Sequence, residues 1–103
     1  MDDILQIAAT WHAEGEPTAI ATVVDTWGSA PRPRGSRMAI TASGRMAGSV
    51  SGGCVEGAVA DAAKTTFATG AAQLLEYGIS NERAWEVGLA CGGKLTVFLE
   101  RIG

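Results

Sequence analysis

The chain has 103 residues, which is one domain's worth with no room for a second substrate domain, and a chain of that size hides only about 60–65% of its unfolded surface on folding. Hydrophobic residues make up 47%, but 18 of those 48 are alanine and only 21 are Ile, Leu, Val or Phe, so a thin core is expected. The net charge of −3 conceals a basic segment: residues 26–55 carry Arg32, Arg34, Arg37 and Arg45 without an acid, and the acidic remainder argues against a nucleic-acid backbone, leaving either a compact anion as partner or a solvated face whose arginines pair with the acids elsewhere.

No apolar run approaches the ~18 residues of a membrane span. The start Met1-Asp2-Asp3 is acidic where a signal would be basic, so a cytoplasmic protein is expected. Two cysteines and one histidine are too few for a four-ligand zinc site. Cys54 and Cys91 are expected as thiols.

In chain order, Asp2 or Asp3 caps a helix whose apolar face is Ile4, Ile7 or Ala8, and Trp11, stopped by Gly15 and Pro17. Ala19 to Val24 is uncharged and β-branched, which predicts a strand buried on both faces. Thr26 to Gly35 holds two prolines and two glycines and reads as a rigid loop. Arg37–Thr41 and Arg45–Val50 flank Ala42-Ser43-Gly44 as a hairpin. A strand then passes through Ser51-Gly52-Gly53-Cys54 into a helix with Val55, Val59, Ala62 or Ala63, and Phe67 on one face and Gly70 at its end. Gln73–Tyr77 reads as a strand, residues 78–90 as a loop with one turn around Arg83–Val87, and Lys94–Glu100 alternates like a strand. The fold class is α/β or α+β: a mixed sheet of about five strands with two main helices packed on it, in a single domain.

The passage through Ser51, Gly52, Gly53 and Cys54 is the most informative stretch. Glycines admit close approach, and the opening turn of a helix favours an anion. The same position lowers a thiol's pKa, making Cys54 a candidate reactive thiolate or soft ligand, while free cysteine also serves as a small apolar filler. Glu56 is a candidate acid/base or acceptor of a ring N–H, or else it complements the helix dipole. Leu89-Ala90-Cys91-Gly92-Gly93 nearly mirrors this cluster. If both loops leave one end of the sheet, the two thiols face one pocket, where open sheets of this class take their ligands.

Three segments together resemble the XdhC/CoxI family of accessory proteins that mature molybdenum hydroxylases such as xanthine dehydrogenase. They are Gly28-Ser29-Ala30-Pro31-Arg32 with Gly35 and Met38, then Gly48 through Glu56, then Gly88 through Gly93 followed by a strand ending at Glu100. The resemblance implies a domain that binds the molybdenum cofactor, molybdopterin, and assists its sulfuration and insertion into a hydroxylase client, with a cysteine desulfurase as sulfur donor. It also implies a site drawn from Ser29, Arg32, Ser51, Gly52, Gly53, Cys54, Glu56, Cys91, Gly92 and Gly93, with Cys54 and Cys91 as ligands or shields of the molybdenum. A non-catalytic chaperone is the first reading. A sulfur- or nucleotidyl-transferring enzyme acting on the same cofactor, with Cys54 as persulfide carrier and Glu56 as acid/base, is the second. Longer relatives carry a further Rossmann-like domain, so residues 1–103 are expected to be the first domain type alone. The thin core predicts a homodimer, with the strand at Lys94–Glu100 as the contact edge, or else a monomer whose apolar patch is kept for the client hydroxylase or the desulfurase.

Overall fold

The computed structural model describes residues 3–28, 34–50, 55–77 and 93–102. Helix α1 (Asp3–Ala13) leads into strands β1 (Thr18–Gly28), β2 (Arg37–Thr41) and β3 (Met46–Gly48). Helix α2 (Glu56–Thr69) and strands β4 (Gln73–Tyr77) and β5 (Gly93–Arg101) follow. The strands form one sheet in the order β3-β2-β1-β5-β4.

Five strands and two helices are what the sequence predicts, and the pairing is narrower than the mixed sheet expected: all neighbouring strands are antiparallel. The cause is the placement of α2, which links β3 at one edge to β4 at the other instead of joining two adjacent strands in a parallel crossover. This is the α+β form.

Period-two alternation sends successive side chains to opposite faces of the sheet. Ala19, Ala21 and Val23 of β1, Met38 and Ile40 of β2, and Leu95, Val97 and Leu99 of β5 pack with Val55, Val59 and Ala63 under α2. On the other face Ile20 and Ala39 meet Ala8 of α1, with Ile4, Trp11 and Ile102 around them. Five of the fifteen buried apolar residues among those described are alanines, which makes the core as thin as the composition implies. Strand β1 is buried on both faces only from Thr18 to Ala21; Val24 is 42% exposed, at a register shift between Val23 and Asp25.

Two boundaries differ from expectation. The segment predicted to leave regular structure at Thr26 stays in β1 to Gly28, because Thr26, Trp27 and Gly28 pair with Leu95, Lys94 and Gly93 of β5. Strand β3 stops at Gly48, whose φ of +80° turns the chain into the left-handed region, although Ser49 N still donates to the Arg37 carbonyl. Helix α2 ends as predicted: Gly70 adopts φ +76° and its N–H donates to the Thr66 carbonyl. The start of β4 is stitched to that helix by the Gln73 amide, which donates to the Ala62 carbonyl and the Thr66 hydroxyl, each at 2.8 Å. The expected turn around Arg83–Val87 lies outside the described residues.

Candidate functional site

The antiparallel register decides which connections share an end of the sheet. Gly28 at the close of β1 is opposite Gly93 at the opening of β5. Tyr77 at the close of β4 is opposite Leu95. Arg37 at the opening of β2 pairs with Thr22 of β1, and Met38 pairs with Gly48 at the close of β3. The connections 29–36, 49–55 and 78–92 therefore all leave from one end of the sheet, and these are the connections that carry the three sequence motifs. The opposite end holds the α1–β1 connection, the turn after Thr41 and the turn after Gly70.

Of the residues singled out from the sequence, Ser29, Arg32, Ser51, Gly52, Gly53, Cys54, Cys91 and Gly92 lie outside the described residues. Gly93 opens β5, and Glu56 opens α2 immediately after the N-cap Val55. Among the described residues no three His, Cys, Asp or Glu side chains gather into a metal site.

Glu56 is half-buried, and its Oε2 accepts hydrogen bonds from the Ser49 hydroxyl at 2.6 Å and the Val50 N–H at 3.0 Å. Its carboxylate is thus turned back toward the chain leaving β3. Sequence reasoning does not mark Ser49 as a partner, and the only signal is a hydroxyl seven positions before an acid in the first turn of a helix. Tyr77, also unmarked, is half-buried at the same end of the sheet, where burial pushes its phenol above the ordinary value of 10.

One member of the basic segment belongs elsewhere. Arg45 lies beyond the β2 turn, where its guanidinium bonds Glu16 at 2.9 Å and Glu14 at 3.2 Å and stacks over the Trp11 ring at 4.6 Å. Its charge is already matched by two carboxylates, which leaves the motif end of the sheet to Arg37 among the described arginines with a strand position. A cavity of about 350 Å³ runs beside α1, lined by Asp3, Gln6, Ile7, Thr10 and Trp11, and it takes in no residue predicted for the site. No helix among the described residues is long and apolar enough to cross a membrane.

Comparison with known proteins bears on the whole sheet. The chain is 34% identical over 99 residues to the molybdenum cofactor insertion chaperone PaoD of Escherichia coli, covering 96% of this chain and 31% of that protein. It is 35% identical over 89 residues to a probable xanthine dehydrogenase subunit of Bacillus subtilis, covering 84% and 27%. A crystal structure of a xanthine dehydrogenase from Bacillus halodurans matches all of this chain and 31% of its own, with a TM-score of 0.81 and 28% identity. The chain therefore spans less than a third of the length of these relatives. The family model for XdhC and CoxI matches residues 11–78, which takes in the first two motifs together with α2 and β4. The chain belongs to the XdhC and CoxI family.

Proposed function

We propose that this chain is a non-catalytic domain that holds the molybdenum cofactor as cargo, assists its sulfuration and passes it to a xanthine dehydrogenase-type hydroxylase. The observation that carries the reading is the convergence of the three motif connections on one end of the sheet. The likeness to a molybdenum cofactor insertion chaperone supports it.

The residue types on those connections suit a pterin dithiolene that bears molybdenum and a phosphate. Cys54 and Cys91 supply soft sulfur toward the metal. Gly52, Gly53, Gly92 and Gly93 let the backbone approach a flat ring system closely. Ser29, Ser51 and Arg32 are assigned to the phosphate, for which a guanidinium is matched in charge and shape. Glu56 stands beside this set in the first turn of α2, bonded to Ser49 and Val50. The partners in this reading are the hydroxylase client, a cysteine desulfurase that supplies sulfur, and a second copy of the chain paired along the β4 edge.

The test is bound molybdopterin per protein after co-production with cofactor biosynthesis, measured for the wild type, Cys54→Ala, Cys91→Ala and the double variant alongside thermal unfolding. Each single variant is expected to retain less cofactor with an unchanged unfolding midpoint, and the double variant least. Full retention in all three overturns the assignment of the thiols. Loss of sulfur transfer in Cys54→Ala with cofactor retention intact replaces the ligand role with that of a persulfide carrier.

A further inference from the structure

Glu56 is the first residue of α2, yet its carboxylate serves chain that lies six and seven positions earlier. One oxygen, Oε2, takes both the Ser49 hydroxyl at 2.6 Å and the Val50 N–H at 3.0 Å. Val50 is fully buried in the cluster beneath α2, and Val55, the N-cap of the helix, is buried in the same cluster. The hydrogen bonds of Glu56 and the packing of these two valines hold the exit of β3 against the start of α2 from two sides. Of the two carboxylate oxygens, Oε2 is thus committed to two donors of the protein itself.

We infer that Glu56 is a positioning residue whose carboxylate clasps the exit of β3 to the first turn of α2 and so fixes both ends of the connection between them. A binding constellation is only as well placed as the groups supporting it. The inference rests on the proposed cofactor reading for its binding measurement alone. Its structural measurement stands independently.

Glutamine and alanine separate the two roles of Glu56. Glu56→Gln keeps a carbonyl oxygen able to accept from Ser49 and Val50, and Glu56→Ala keeps none. Amide exchange at Val50, followed by NMR, is expected to speed up about tenfold in Glu56→Ala and to change little in Glu56→Gln. Cofactor retention is expected to follow the same order, with Ser49→Ala intermediate and the Ser49→Ala/Glu56→Ala pair no worse than Glu56→Ala alone, as two residues of one contact should behave.

Equal defects in Glu56→Gln and Glu56→Ala with Val50 exchange unchanged overturn the clasp and restore the acid/base role. Should Glu56→Ala fail to fold, Ser49→Ala and Glu56→Gln carry the test: weakened retention and faster Val50 exchange in the former alone support the clasp, and the reverse order refutes it. Should the wild type retain no cofactor, the functional reading fails while Val50 exchange still decides the clasp.

Discussion

A single hydrogen atom in place of a side chain shapes the approach of α1 to the hairpin. Gly48 has φ +80°, and a Cβ built on it would overlap the Arg37 carbonyl oxygen and come within 2.7 Å of Ile4 Cδ1. Both the conformation and the space demand glycine here. At Gly44, in the hairpin turn, φ is +98° but nothing lies within 4 Å. Gly48→Ala is accordingly expected to lower unfolding free energy by about 3 kcal/mol or more, combining left-handed strain with overpacking. Gly44→Ala carries the strain alone and should cost about 1 kcal/mol. Denaturant unfolding of the two variants checks the difference, and equal losses would mean that the contacts with the Arg37 carbonyl and with Ile4 both relax freely. In the sequence Gly48 is only a letter in a motif, because the steric reasons lie in the backbone of the paired strand β2 at Arg37 and in a helix more than forty positions away. Glu56 is legible as an acid at a helix start, and its bond to Ser49 is not, since that depends on how β3 exits the sheet.

Between elements, the clearest tie joins the end of α1 to the β2–β3 turn. Glu16 follows α1 and accepts hydrogen bonds from the Ser43 hydroxyl and from Arg45, while Thr41 Oγ1 and Ser43 Oγ lie 3.0 Å apart. The Ser43 hydrogen bond, and then Arg45, hold the Glu16 carboxyl below its ordinary value of 4.5, and the hydrogen bonds that Arg45 donates to Glu16 and Glu14 raise its guanidinium. A group whose folded value lies below its unfolded value binds fewer protons when folded, so its contribution is complete above 4.5 and is lost as pH falls through the lower folded value. The melting midpoint of the wild type should therefore drop more steeply as pH falls below about 4.5 than that of Glu16→Gln, which has nothing left to titrate at this position. Parallel curves would show that the tie does not discriminate between the protonation states of Glu16.

Elements whose limits are set locally are legible from the sequence. Strand β4 occupies Gln73–Tyr77 as read, and α2 runs from the Val55 cap to Gly70. The end of β1 is not legible, because Trp27 and Gly28 follow no local strand pattern and are held by pairing with Lys94 and Gly93, far along the chain. Non-local pairing of this kind leaves no mark on a short window of sequence.

At the scale of the molecule, the distribution of helices over the sheet controls where a partner can bind. Among the described residues helix α2 covers one face mainly over β1 and β5, and α1 covers the other mainly over β1, β2 and β3. On that second face β4 and β5 present Leu74, 64% exposed, beside half-buried Phe98, with Glu76 and Glu100 on the same side. The strand expected from the sequence to be the open edge, Lys94–Glu100, lies inside the sheet with β1 and β4 on either side. Its alternation is that of a strand with unlike faces, a pattern that central and edge strands of an antiparallel sheet share. The edges are β3 and β4, and β4 pairs only with β5 among the described residues.

An edge strand with an exposed leucine is a template for sheet extension, and in a homodimer a two-fold axis at that edge would join two sheets and bury both copies of Leu74. Light scattering over a concentration series is expected to show the mass rising from 10.6 kDa toward twice that value. Leu74→Lys, at a position too exposed to disturb the core, should hold the chain at the lower mass by placing two cations on the shared edge. A wild-type mass of 10.6 kDa at every concentration would refute the dimer. A dimer that survives Leu74→Lys would move the interface away from β4.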